Sequence, residues 1–233
     1  MPMTTLWVLL VAGGFAIQPP GQFHGDEPVA RDGESWLALH VDGNDASLVA
    51  TTLKVRAVHD EVLDEAGART GLEVSSEEDD KVIAYLRGRG LKPGTIESAA
   101  VASEHQDGAG LPYELDFRGQ FHRLSSQCDE SPRDGLVRQP QFDCRIEVRT
   151  GDRAQSLSRL SGYRELQATT MSLGDDASPI LIFAGDLDRD GKLDLIFNTT
   201  DHYNVSRPTL FLSSQSKPGE LLHEVALYES VGC

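Results

Sequence analysis

The chain has 233 residues, with 37 Asp and Glu against 21 Lys and Arg, a formal net charge of -16 and a pI near 4.7. Phosphate affinity comes from Lys and Arg neutralising backbone charge, so this balance argues against nonspecific nucleic-acid binding and against a polybasic membrane-surface role. A hydrophobic fraction of 39% with 22 Gly and 11 Pro belongs to a turn-rich globular chain rather than a disordered one.

Residues 6–17 (LWVLLVAGGFAI) form an apolar run too short to span a bilayer, and Pro19 and Pro20 follow it. Its length, with small residues at Gly14 and Ala16, matches the apolar region and cleavage site of a secretory signal. The reading is a signal peptide over residues 1–18 and an exported mature protein, periplasmic or extracellular. No Lys or Arg precedes the run, and the other reading is a buried first strand or helix. No later stretch approaches the roughly 20 apolar residues of a spanning helix.

Residues 28–233 then read as one β-rich domain. Residues 35–41 (SWLALHV) have the composition of a buried strand. Leu53, Val55 and Ala57 alternate with Lys54 and Arg56, and period-two alternation predicts a half-buried strand. Asp60, Glu61, Asp64 and Glu65 lack any alternating-ligand spacing and read as a solvated turn. From Ser76, the run SEEDD ahead of Val82, Ile83 and Leu86 predicts one short helix with a capped, acidic start. Residues 103–110 (SEHQDGAG) are the best internal boundary.

Tyr113, Leu115 and Phe117 alternate with Glu114, Asp116 and Arg118, and Phe142, Cys144, Ile146 and Val148 alternate with Asp143, Arg145, Glu147 and Arg149. Both predict strands. Asp-Gly pairs at Asp32, Asp42, Asp107, Asp134 and Asp190 suit the positive φ angles of tight turns. Cys128 and Cys144 bracket a polar loop and form the expected disulfide, which leaves Cys233 over. Residues 221–229 (LLHEVALYE) fit either period. The predicted fold is mainly β with antiparallel sheets, sandwich-like or irregular. No repeat of 20 to 50 residues is visible, so a full propeller is not expected.

The sharpest chemistry lies in residues 184–197, AGDLDRDGKLDLIF. A hard cation such as calcium takes six to eight oxygens, and a tightly turning loop presents alternate side chains inward. Asp186, Asp188 and Asp190 supply carboxylates, Lys192 its backbone carbonyl, and Asp194 closes the shell, while Gly191 permits the sharp turn. Leu187 and Arg189 are expected to point outward. An EF-hand would need a bidentate Glu where Phe197 stands. The flanks, residues 179–184 and 193–198, are short and rich in β-branched or aromatic residues, so the loop joins two strands.

This combination resembles the calcium loop of the FG-GAP and VCBS family, found in integrin α-chain β-propellers and in many exported bacterial proteins. Gly185, Asp186, Asp188, Asp190, Gly191, Asp194 and Leu195 match the consensus GDxDGDGxxDL, and Arg189 replaces its commonest Gly. The resemblance covers residues 179–213, with residues 209–213 as the next strand, and implies Ca2+ as the bound ion. One copy does not carry over the propeller or its ligand-binding roles.

Residues 198–206 (NTTDHYNVS) follow the hairpin and read as a polar connection. The expected function is an exported, soluble, calcium-binding β-rich protein whose calcium is structural and for which no catalysis is inferred. The alternatives are a hydrolase with a pocket beside the hairpin using Asp201 and His202 as acid and base, and a calcium-dependent adhesion or protein-recognition module with an envelope or extracellular protein partner.

Overall fold

The computed structural model describes residues 14–43, 45–77, 81–103, 111–131, 140–164 and 171–232. The first third contains β1 (Ala16–Gln18), β2 (Gly21–Phe23), β3 (Ser35–Asp42), β4 (Asp45–Thr52), β5 (Lys54–Val58), β6 (Gly71–Ser75) and β7 (Val82–Arg87). There follow β8 (Gly94–Glu97), β9 (Ala100–Ser103), β10 (Tyr113–Phe117), β11 (Gln120–Glu130), β12 (Gln141–Thr150) and β13 (Arg153–Tyr163). The last part holds β14 (Ser172–Leu173), β15 (Leu181–Gly185), β16 (Asp194–Asn198), β17 (Val205–Ser206), β18 (Pro208–Leu212), a 3-10 turn (Ser213–Gln215), β19 (His223–Leu227) and β20 (Ser230–Val231).

Three antiparallel sheets carry the fold: β1-β7-β3-β4-β8, β14-β13-β12-β11-β10-β9, and between them β15-β16-β18-β19. The third is the middle layer because its two faces feed different cores. Ile196, Leu210, Leu212 and Val225 pack with Leu39, Leu48, Tyr85 and Leu86 of the first sheet. Leu195, Phe197 and Phe211 pack with Leu115, Leu124, Ile146 and Val148 of the second. Successive residues of a strand point to opposite faces, so a strand buried on both sides must be apolar throughout. All five residues of β18 are buried, four of them apolar, and the polar Thr209 has its hydroxyl bonded to that of Thr199. A smaller sheet, β2-β6-β5, and the pair β17-β20 complete the architecture, and none of the sheets among the described residues closes into a barrel or propeller.

The helix expected from Ser76 is not formed over the residues that would carry it. Val82 to Arg87 are β7, paired with β1 and β3. Its run VIAYLR is buried on both faces, which removes the alternation that marks a strand, while residues 78–80 lie outside the described residues. Residues 221–229, ambiguous in sequence, contain strand β19. The end of the stretch read as a secretory leader is folded: Phe15 and Ile17 are 4% exposed in the first core, and Ala16–Gln18 pairs with β7. The chain passes from the first outer sheet to the second at Ser98 and Ala99, between β8 and β9. Residues 104–110 lie outside the described residues, as does Cys233.

Two local features correct or complete the sequence reading. The acidic turn at 60–65 is not simply solvated. Asp60 Oδ1 accepts the Val62 and Leu63 N–H groups, and Asp64 Oδ2 accepts those of Asp60 and Thr70, so two carboxylates organise the turn. His24 Nδ1 lies 2.5 Å from Asp60 Oδ2 and ties the turn to β2. Cys128 and Cys144 face each other across β11 and β12 and are joined by a disulfide.

Two predictions follow from these ties. Closing the loop between cysteines 16 positions apart is worth about 3 kcal/mol in chain entropy, so the double Cys→Ser variant should lose roughly that in denaturant unfolding. An unchanged midpoint and slope would contradict this. The Asp60 hydrogen bond holds His24 above its ordinary 6.5, and the same bond holds Asp60 below 3.8. The histidine contribution is full below pH 6.5 and lost as pH rises through the raised value; the aspartate contribution is present above 3.8 and lost as pH falls through the lowered one. His24→Gln should therefore flatten the decline of melting temperature on the alkaline side of pH 6.5. A wild-type slope retained by the variant would show that another group titrates there.

Candidate metal centre

The loop is held from both sides before any ion is considered. Gly185 pairs with Asp194 to close the β15-β16 hairpin, and β18 lies against β16 as the third strand. Leu187, expected to point outward, is fully buried in the first core, and Leu193 is 5% exposed in the second. Burying a leucine is worth roughly 1.5 to 3 kcal/mol, so one anchor on each side fixes the loop between the layers. The loop's two leucines sit where two cores demand apolar contact, which outweighs simple alternation. The backbone adds further ties: Asp186 N–H donates to Glu97 O at 2.9 Å and Ala99 N–H to Ala184 O at 2.9 Å. Gly185 is required here, because a Cβ would lie 2.3 Å from Glu97 O.

Asp186, Asp188 and Asp194 place one carboxylate oxygen each within 4.8 Å of one another. Asp194 is fully buried. Its Oδ2 accepts the Leu187 N–H at 2.9 Å and its Oδ1 the Ser213 N–H at 2.8 Å. Burial pushes its pKa up to about 8, with the Asp188 charge acting in the same direction against the two backbone N–H groups. Asp186 is 3% exposed; its Oδ2 accepts the Gly191 N–H at 2.9 Å, while its Oδ1 is buried without a hydrogen-bond partner. Burial raises the pKa of Asp186 as well, and the Asp190 charge adds to this. Asp188 accepts the Ser214 hydroxyl at 2.5 Å.

Asp190 is turned differently. Its oxygens accept the Ser213 hydroxyl at 3.2 Å and the Lys192 N–H at 2.9 Å, and Lys192 Nζ lies 3.4 Å away. Arg189, also expected to face solvent, is exposed but donates from Nε to Thr95 O at 3.1 Å. Its φ of 62° lies in the left-handed region, which explains why glycine suits this position. No protein-family model, curated protein or solved structure matches the chain.

The sequence reading missed Arg118, Ser213 and Ser214. Arg118 sits with Gly119 at the two-residue β10-β11 turn, both at positive φ. Such turns prefer Asn or Asp before Gly, so an arginine there breaks a local rule, the one signal that marks it. Its guanidinium bonds Glu97 Oε2 at 2.6 Å and stands 3.6 Å from Asp186 Oδ2. A Cβ on Gly191 would lie 2.9 Å from Arg118 Nη1. Asp201 and His202 are not brought together: His202 Nε2 pairs with Asp175 Oδ2 at 2.9 Å, and Asp201 Oδ1 with Arg207 Nη1 at 3.1 Å.

Arg118 places a positive charge where a dication would have to approach Asp186. At about 4 Å one unit charge opposes a dication by about 2 kcal/mol even with water-like screening. If the cluster takes a divalent cation, Arg118→Ala should therefore tighten that binding tenfold or more in calorimetric titration, whereas equal or weaker affinity would show that Arg118 does not compete.

Proposed function

We propose that the 186–194 loop binds calcium as a structural staple in an exported, nonenzymatic β-rich protein. The observation that carries this reading is Asp186, whose Oδ1 is buried and unpartnered and whose carboxylate places one oxygen within 4.8 Å of carboxylate oxygens of Asp188 and Asp194. Oxygens bound at 2.3 to 2.6 Å to one calcium ion can lie no more than about 4.6 to 5.2 Å apart, so the span fits one coordination shell. A buried acceptor left unpaired costs about 1 to 3 kcal/mol, more when charged, and a bound dication removes that cost. The Asp190 carboxylate and the Lys192 carbonyl complete the proposed ligand set on binding. The match of Gly185, Asp186, Asp188, Asp190, Gly191, Asp194 and Leu195 to the FG-GAP and VCBS loop supports calcium over other hard cations.

A structural role for the ion follows from what the ligands hold. Asp194 begins β16 of the middle sheet, and its carboxylate also fastens the 3-10 turn through Ser213 N–H. Neutralising this cluster therefore stabilises the contact between hairpin and following strand rather than exposing an open coordination position. Export is supported by the Cys128–Cys144 disulfide, since disulfides persist in oxidising compartments. Extracellular modules bind calcium at roughly 0.1 to 1 mM, where the ion is plentiful.

Calcium at a hundredfold excess over its dissociation constant should stabilise the fold by about 2.7 kcal/mol. Melting temperature should rise in calcium and fall in chelator. Asp186→Asn removes a buried charge, so it should melt at or above wild type in chelator and below it in calcium. Identical wild-type melting in both conditions, with no heat in calorimetry, would overturn the reading.

A further inference from the structure

Beside the loop lies a cleft of about 660 Å³, lined by Lys192, Leu193 and Ser213 of the hairpin region but by none of the three clustered aspartates. It opens where the middle sheet and the second outer sheet part at the margin of their shared core, since Val148, Leu193 and Leu222 belong to that core and also form its floor. The margin is braced: Gln155 Oε1 accepts the Leu221 and Leu222 N–H groups, and Arg153 Nη2 donates to Glu220 O at 2.9 Å. The cleft therefore has rigid walls and a volume within the roughly 300 to 1,000 Å³ of small-molecule sites.

Its charge is opposite to that of the molecule. In a chain of net charge -16, Arg153, Lys192 and Lys217 converge on this one cleft. Lys192 leans on Asp190, while Lys217 Nζ makes no ion pair among the described residues. The one carboxylate among the described lining residues, Glu220, is already held by the Lys217 N–H and by His223, each at 2.9 Å. A local reversal of this kind concentrates anions.

Two buried polar atoms also lack partners here. His122 is 8% exposed, its Nδ1 lies 2.7 Å from the Thr150 hydroxyl, and its Nε2 has no hydrogen-bond partner; the same holds for Ser216 Oγ. Unsatisfied buried groups are rare and call for a ligand or other explanation. The Thr150 hydroxyl can donate to Nδ1 or accept from it, so Nε2 offers either an N–H donor or an acceptor, and a ligand hydroxyl can meet both.

We propose that this cleft binds a small hydroxylated anion, a sugar bearing a carboxylate or phosphate. The cations Arg153 and Lys217 take the charged group, His122 and the hydroxyls of Thr150 and Ser216 take the hydroxyls, and the leucine and valine floor takes the carbon ring.

Calorimetric titration with glucuronate, glucose 6-phosphate and glucose tests this on the whole chain in calcium-containing buffer. At least one of the two charged sugars should bind, and glucose should bind at least tenfold more weakly. An Arg153→Ala, Lys217→Ala double variant should lose tenfold or more, and Lys217→Ala alone, which removes no bracing hydrogen bond, should weaken binding severalfold at unchanged melting temperature. His122→Gln should weaken binding of the same ligand severalfold. Absence of binding by both charged sugars, equal binding of glucose, or full affinity in the double variant would overturn the proposal. Because none of these variants touches Asp186, Asp188 or Asp194, such a result would leave the calcium loop to stand or fall on its own melting curves.

Discussion

The fold depends on one constraint: the β15-β16-β18-β19 sheet is buried on both faces. Ile196 and Leu210 face one core while Leu195, Phe197 and Phe211 face the other, so this sheet is the only structure that both cores share among the described residues. Neither outer sheet is covered by the other. Whatever fixes the middle sheet therefore fixes the relation of the outer two, and the β15-β16 connection is the place where polar groups enter this otherwise apolar layer. A loop that must end in two buried strands has little freedom, and Leu187 and Leu193 remove most of the remainder by entering opposite cores.

That confinement accounts for the electrostatics. Asp186 and Asp194 are not surface carboxylates; they are 3% and 0% exposed, at the end of a strand with apolar layers on each side. Burial raises both pKa values, and mutual repulsion within the loop adds to it. Three kinds of group answer the charge without an ion. Backbone N–H groups of Leu187, Gly191 and Ser213 bond the carboxylates, hydroxyls of Ser213 and Ser214 bond Asp190 and Asp188, and Arg118 reaches in from the second outer sheet. They leave one oxygen of Asp186 unanswered. The arrangement is thus partly neutralised, which keeps the ion-free loop folded while retaining a driving force for a cation.

How much of this was legible follows from the same geometry. Strands with one wet face announce themselves: Tyr113, Leu115 and Phe117 alternate with polar residues and are all buried, as are Phe142, Cys144, Ile146 and Val148. The grouping of Asp186, Asp188 and Asp194 was legible too, because alternate spacing along one loop is a local property, whereas Asp190 turns to Ser213 and Lys192. Two-sided burial erased the signal elsewhere, and β7, with an acidic stretch ahead of it, read as a helix for that reason. The outward assignment of Leu187 failed because it treated the loop as having one inside, whereas the middle layer has two. Arg118 and Ser213 reach the aspartates from distant parts of the chain, and His202 finds Asp175 rather than Asp201 by the same long-range route. Contacts of this kind depend on topology, which no local pattern encodes.

The acidity of the chain now divides into parts with different physical meanings. Of the 37 carboxylates, some pair with exposed cations, some organise turns as Asp60 and Asp64 do, and a few are buried at one loop. The cations are scarcer, and their placement is correspondingly more informative. Arg118 and Arg189 are spent on one side of the loop, against Glu97, Asp186 and the Thr95 carbonyl. Lys192 instead lines the cleft that Arg153 and Lys217 also line. Ser213 and Ser214 stand between the two regions, bonded to the loop aspartates and lining the cleft as well. A cation drawn into the loop and an anion drawn to the cleft would thus meet at the same 3-10 turn. Opposite charges separated by one turn attract rather than compete, so filling either site should favour the other.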